Sequence, residues 1–275
     1  AFRAGHEAKH AENYRINSFH LGEGSPKQKF RANMDAIYTL KALENQHRDA
    51  TPEEQETLAN YVGWGGLADA FDAEKTAWTG EYKELKAALT EEEYAAARAS
   101  TLNAHYTSPT VIRAIYEALD GMGFEKGNIL EPSMGVGNFF GMLPDSMLGS
   151  RLYGVELDSI TGRIAQKLYP QAEIKVAGFE TTDRRDFYDL AVGNVPFGNY
   201  RVSDKPYDKL GFSIHNYFFA KALDQVRPGG VVAFVTSRYT MDSKNSDARR
   251  YMAQRAELLG AIRLPNDAFK KNAGT

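Results

Sequence analysis

Two rhythms of apolar residues divide the chain. From Lys27 onward, Phe30, Met34, Ile37, Leu40 and Leu43 recur at three- and four-residue steps, which predicts an amphipathic helix. At Thr51-Pro52-Glu53-Glu54 a second helix start is written out. It has a hydroxyl to cap the first turn, a proline at the first helical position and acids at the positive end of the helix dipole. A glycine-rich connector, Gly63-Trp64-Gly65-Gly66, follows, and Thr90 ahead of Glu91, Glu92 and Glu93 opens another helix. The polar stretch from residue 1 to about 25, broken by Gly22, Gly24 and Pro26, reads as an arm. No strand-like alternation occurs in this part, so residues 1–104 are expected to form a helical region.

Beyond Ser108, which caps a further helix, short continuous apolar runs appear. They lie at Asn128–Leu130, Leu152–Val155, Ile174–Val176, Tyr188–Val192, Val231–Thr236 and Leu258–Leu264. Helical stretches near 138–143, 159–169, 214–226 and 246–256 separate them. Strands buried on both faces and alternating with helices predict an α/β domain with a parallel, doubly wound sheet over residues 105–275.

Composition narrows the chemistry. With 43% hydrophobic and 25% charged residues in 275, the chain can bury one substantial core with an appended subdomain. A net charge of −3 argues against a surface uniformly built to coat nucleic acid, while leaving local basic patches open. The absence of cysteine excludes a thiolate nucleophile, disulfides and cysteine-ligated zinc, and fits a reducing compartment. No apolar run approaches the roughly 18 residues that span a bilayer, and the N-terminus has no apolar signal core. A cytoplasmic setting without membrane or metal is expected.

In an open α/β sheet, ligands bind outside the carboxyl ends of the strands, and three of those ends carry unusual residues here. In Ile129-Leu130-Glu131-Pro132-Ser133-Met134-Gly135-Val136-Gly137-Asn138-Phe139, two glycines stand between a strand and a helix. They are either a tight turn or a cradle for a nucleotide-like ligand. Glu156 closes the next strand about twenty residues on, where an acid can accept hydrogen bonds from ribose hydroxyls or can simply be solvated. Gly193-Asn194-Val195-Pro196-Phe197 ends a buried run with an amide, a rigid turn and an aromatic face. Asn194 with the Val195 carbonyl would suit a planar group bearing an NH₂; the alternative is a turn with asparagine capping and phenylalanine packed inward.

Taken in order, these segments resemble the adenine-specific, amino-group DNA methyltransferases. His105-Tyr106-Thr107-Ser108-Pro109 looks like the N-terminal cofactor motif of that family, Glu131–Phe139 like its glycine turn and Gly154-Val155-Glu156-Leu157-Asp158 like its ribose motif. Asn194–Phe197 looks like its catalytic motif, and residues 215–242 resemble the helix and strand that follow. The front part, with Tyr61–Leu67, is similar to the head of very large methylase–helicase proteins of phages and mobile elements. The resemblance implies a Rossmann-like, S-adenosylmethionine-dependent methyltransferase fold with an N-terminal helical subdomain. It also implies methylation of the adenine N6 amino group in DNA, in a restriction–modification setting. Cofactor contacts fall to Tyr106, Thr107, Glu131, Pro132, Ser133, Gly135, Gly137, Asn138, Phe139, Glu156 and Leu157. Asn194, Val195, Pro196 and Phe197 are the catalytic set. Arg201, Lys205 and Lys209, just beyond, are candidates for DNA phosphates, or else a solvated loop. Other domains of a longer polypeptide are expected partners.

The chain departs from the family pattern in three places. Val195 stands where a second proline is usual, Gly178 stands where an acid usually holds the cofactor's adenine (with Glu180 or Asp183 as substitutes), and the chain stops before a last antiparallel strand. His215 reads as a cap or packing residue rather than a catalytic base. Two other functions stay open. One is a protein glutamine methyltransferase, which would use the same motif on an amide NH₂; the other is a weakly active or inactive methyltransferase-like module that binds DNA or protein in anti-restriction. A nicotinamide dehydrogenase lacks its full glycine fingerprint here.

Overall fold

Helices begin where the sequence places capping side chains. The computed structural model describes residues 11–18, 22–102, 107–266 and 268–269. Ser25 with Gln28, Thr51 with Glu54 and Thr90 with Glu93 form reciprocal capping boxes at the starts of α1 (Pro26–Asn45), α2 (Pro52–Ala59) and α4 (Glu91–Ala99). Between the last two lies α3 (Thr79–Ala88). Ser108 accepts from the Val111 N–H to open α5 (Pro109–Gly121). The apolar stripe read from the sequence is the buried side of α1, with Phe30, Met34, Ile37, Leu40 and Leu43 all enclosed.

The sheet is parallel, as the continuous apolar runs predict. Its strands are β1 (Asn128–Glu131), β2 (Arg151–Glu156), β3 (Glu173–Val176), β4 (Tyr188–Asn194) and β5 (Val226–Val235), in the order β3-β2-β1-β4-β5. Helices α6 (Asn138–Gly141), α7 (Ser159–Leu168) and α8 (Ile214–Gln225) lie between strands, and α9 (Tyr239–Asp242) and α10 (Asp247–Ala253) follow β5. Successive strand residues face opposite ways, so Ile129, Leu190 and Val192 join the apolar cluster of α1, α2, α5 and α7, while Leu130 and Ala191 join that of α8. The chain leaves β1 toward β2 and β3, then returns to the other side of β1 for β4. That reversal puts the switch point between the carboxyl ends of β1 and β4, at Glu131 and Asn194.

Three expectations are corrected. The arm is pinned over residues 11–18: the Tyr14 and Ile16 N–H groups donate to the Leu168 and Gly141 carbonyls, and the Gln55 amide donates to the Glu12 carbonyl. Buried apolar side chains at Tyr14 and, in part, Ile16 explain why a polar-looking stretch stays down. β5 starts at Val226 rather than Val231, because Val226 already pairs with Tyr188 before Arg227–Gly230 bulge away and Val231 resumes opposite Leu190. Pro228 lacks an N–H and is tolerated because β5 is the sheet's edge. Leu258–Leu264 forms no strand, and Leu258, Leu259 and Ile262 stand exposed. An apolar run becomes a strand only against a partner ladder, and none of the described residues supplies one. Among the described residues, no helix is long and apolar enough to cross a membrane.

Besides apolar packing, the helical region meets α7 through an ion-pair cluster centred on one guanidinium. Arg163 donates to both Glu44 oxygens on α1 (2.7 and 2.6 Å) and to Glu93 on α4 (2.8 Å). Burial pushes the Glu93 carboxyl up, but hydrogen bonds from Arg163, the Thr90 N–H and Lys41 outweigh it and hold the group at about 2. An acid whose folded value is depressed stabilises the fold above its unfolded value and loses that contribution as pH falls toward 2. We expect Arg163→Met to cost about 2 kcal/mol at pH 7, since it removes the paired donors from Glu44 and one of the donors from Glu93. The deficit against the parent should shrink in melts taken between about pH 4.5 and 2.

Candidate active site

The switch point gathers two carboxyl groups, a glycine turn and an amide. β1 delivers Glu131, and the chain then turns through Pro132, Ser133, Met134 and Gly135 into α6. Gly137 caps that helix at φ 85°, where a side chain is strained and would also strike the Tyr169 ring. Gly135 faces open space on the side where a Cβ would stand.

Glu156, at the end of β2, holds this turn. Its Oε2 accepts from the Gly135 N–H at 2.8 Å and its Oε1 from the Asp158 N–H at 2.9 Å, leaving a lone pair on each oxygen for a donor such as a hydroxyl. Burial pushes its carboxyl up to about 7 against the pull of those two N–H bonds. Glu131 is more deeply enclosed, 2% exposed, and its Oε2 has no hydrogen-bond partner. Burial first, then the nearby Glu156 charge, raise its carboxyl well above the usual range. Burial with no donor on Oε2 favours the protonated form of Glu131.

β4 delivers the amide. The Asn194 side-chain NH₂ donates to the Thr107 hydroxyl at 3.0 Å, while its Oδ1 is enclosed with no partner. Such an orphan acceptor costs about 1–3 kcal/mol unless something fills it. Val195 is buried, and its N–H remains tied to the Val235 carbonyl of β5. The rest of the motif lies half-buried at Pro196 and Phe197, the latter ring 6.5 Å from that of Phe269.

Other sequence-derived sites scatter. Thr107 is buried against Asn194, and Tyr106 lies outside the described residues. Ser133 and Asn138 are half-buried beside the turn, and Pro132 is buried within it. Phe139 points into the core, its ring 6.1 Å from Tyr116 and its carbonyl accepting the Tyr116 hydroxyl at 2.6 Å. Leu157 is 76% exposed beyond Glu156. The Glu180 carboxylate lies over Gly178, at the position where the missing acid was sought, while Asp183 is exposed. Arg201, Lys205 and Lys209 are all exposed, and Arg201 lines a cavity of about 270 Å³ with Tyr207, Phe212 and Tyr217. His215 bonds Ser213 at the start of α8, and burial lowers its imidazole, as befits a packing residue.

Sequence reasoning missed what fixes the loop after the motif. Lys221 on α8, 4% exposed in its side chain, pairs with Asp204 at 2.6 Å, and the Tyr217 hydroxyl donates to the same carboxylate oxygen at 2.6 Å. A lysine amid the apolar residues of α8 was the available signal. The loop is therefore anchored at its centre rather than merely solvated.

No protein-family model matches the chain. It is 29% identical over 258 residues, 91% of its length, to "Defense against restriction protein B" of Escherichia phage P1, and spans only 10% of that protein. Over 92 residues, 34% of the chain, it is 34% identical to "Type II methyltransferase M.CvrRI" of Paramecium bursaria Chlorella virus XZ-6E, covering 24% of it. A Listeria monocytogenes structure assigned as a class I S-adenosylmethionine-dependent methyltransferase superposes over 90% of this chain and 85% of its own, with a TM-score of 0.54 at 15% identity. The chain has the class I methyltransferase fold: a parallel central sheet flanked by helices, with a helical region in front.

Proposed function

We propose that the chain is a methyltransferase domain that uses S-adenosylmethionine to methylate the N6 amino group of adenine in DNA. The observation that carries this reading is the orphan Asn194 Oδ1 at the switch point, at the end of the strand beside the one that ends in Glu131, whose Oε2 is also unpartnered. The names of the phage and viral relatives support a substrate in DNA. With a chain that spans a tenth of the phage protein, other domains of a longer polypeptide are proposed to contribute sequence reading.

The residues present fit the cofactor. Glu156 would take ribose hydroxyls on its remaining lone pairs, Gly135 would let the backbone approach, and Glu131 would ionise against an ammonium group. Glu180 would serve the adenine side in place of residue 178. When bound, S-adenosylmethionine supplies an activated methyl group, so the chain's task is positioning rather than strong base catalysis. Asn194 Oδ1 and the Val195 carbonyl would accept the two hydrogens of the substrate amine and aim its lone pair. Pro196 would hold that turn extended, and Phe197 would stack on a base flipped from its duplex. Arg201, Lys205 and Lys209 would contact phosphates.

A second reading rests on Val195 in place of a stiffening proline and on the phage relative's name: a weakly active module serving anti-restriction. Tritiated methyl transfer to DNA by the chain and by Asn194→Ala separates the two. Loss of one positioning amide should lower incorporation by about 100-fold or more, as loss of one preorganised hydrogen-bonding group does elsewhere. Equal counts would remove Asn194 from the mechanism, and counts absent from both would favour the binding module.

The value of about 7 at Glu156 makes cofactor affinity pH-dependent. Hydroxyls donate best to the ionised acid, so affinity measured by calorimetry should rise about tenfold between pH 6 and 8. The ligand-free fold should behave oppositely. An acid raised above its unfolded value loses its stabilising effect as pH climbs from about 4.5 through 7, so melting temperature should fall across that window. A flat affinity profile would exclude Glu156 as a ribose contact.

A further inference from the structure

The cavity of about 270 Å³ beyond the catalytic motif has walls of two kinds. Tyr207, Phe212 and Tyr217 supply rings, the tyrosines buried and Phe212 half-buried. The Tyr207 hydroxyl donates to Asp224 and that of Tyr217 to Asp204, each at 2.6 Å, so neither has a hydrogen left for a ligand. The polar walls are Arg201 and Asp208, both exposed. The Arg201 guanidinium lies against Gly211, which turns the chain at φ 63° and has no side chain to meet it. Among the described residues, no carboxylate pairs with Arg201.

Hydrogen bonds within the chain fix this shape. The Asp204 carbonyl accepts the Tyr207 and Asp208 N–H groups at 2.8 and 2.9 Å, the Asp204 N–H donates to Asp208 Oδ1 at 2.7 Å, and Lys221 holds the Asp204 carboxylate at 2.6 Å. The chemistry of a matching ligand follows from the walls. Small-molecule pockets run from about 300 Å³ upward, so this one has room for a single ring system. Aromatic walls suit a planar group. Asp208 Oδ1 and Oδ2 each accept one bond, from the Asp204 N–H and the Ser203 hydroxyl, and keep lone pairs for an incoming N–H. The same carboxylate repels a bare anion from the interior, while the unpaired Arg201 attracts one beside it. A planar group with N–H donors and an attached phosphate meets all of these demands.

We propose that this cavity is a subsite for one unpaired nucleotide of the DNA strand near the target base, its base held among Tyr207, Phe212 and Tyr217 and its phosphate by Arg201. Seven residues separate Asn194 from Arg201, so the two lie no more than about 25 Å apart, which a strand crosses in a few nucleotides. The subsite rests on the DNA part of the reading above and not on the transfer of a methyl group.

The test compares two probes by fluorescence anisotropy: a short single strand of DNA, and a strand of equal length and charge in which every base is replaced by hydrogen. Phe212→Leu removes a stacking ring, and Leu210→Trp fills the cavity, since Leu210 also lines it and its side chain makes no hydrogen bond. Both variants should bind the strand with bases about tenfold more weakly than the parent and the base-free strand equally well. Arg201→Ala should weaken both strands about threefold, as loss of one phosphate contact does. Melting curves show which variants keep the parent's fold, and either neutral variant suffices. Unchanged binding of the base-bearing strand by a folded variant, an equal loss on both strands, or a parent that binds neither strand would overturn the subsite. Methyl transfer to DNA without the selective loss would remove the subsite alone. The selective loss without methyl transfer would leave the subsite standing and remove the methylation.

Discussion

The cost of burying a carboxylate shapes the whole crevice. Glu156 lies where its charge is poorly solvated, and it is kept there by two backbone N–H groups, one from the glycine turn and one from the start of α7. Those bonds join the end of β1 to the end of β2. They fix the turn at Gly135, and so the space beside it, without any side chain entering that space. Glu131, one strand over, has no such partners on its Oε2, and burial raises its carboxyl well above the usual range. Burial raises both acids, and backbone N–H groups pull the other way at Glu156.

Much of the frame was legible because it depends on local rules. Continuous apolar runs separated by helices mean strands covered on both faces, and β1 to β4 fall where those runs lie. Ser25, Thr51, Thr90 and Ser108 cap helices because an unsatisfied first turn needs an oxygen there, whatever the rest of the chain does. Leu258–Leu264 shows the limit of the same logic. Its pattern is that of a strand, but strands are stabilised in pairs, and pairing is not a local property.

The features that escaped are those set by tertiary partners. Phe139 sits two residues beyond the Gly137 cap and reads as lining a pocket, yet the helical turn that begins there rotates it toward Tyr116. Asp204 looks like one charge among several in a solvated loop, and only the fold brings Lys221 and Tyr217 to it. The 11–18 arm has too few apolar residues to announce itself, but Tyr14 finds a ready hollow against the helices. In each case the sequence carries the residue, and the partner lies 13 or more residues away.

The enclosed state of Asn194 bears on how such a site could work. Its amide has its donor end committed to Thr107, so the amide cannot rotate freely and Oδ1 is the end left for a ligand. That oxygen is closed to solvent, and three residues on the Phe197 ring lies 6.5 Å from that of Phe269. An acceptor kept dry is electrostatically stronger toward an incoming N–H than one already bonded to water, because no water bond must be broken first. The same enclosure means that a ligand reaches Oδ1 only if what covers it shifts. Beyond the motif, the Tyr200 carbonyl accepts the Ile214 N–H at 2.9 Å and Asp204 is held by Lys221 and Tyr217 of α8, so the turn is tied at its far end. Valine at 195, unlike a proline, keeps a backbone N–H, and that N–H bonds the Val235 carbonyl of β5.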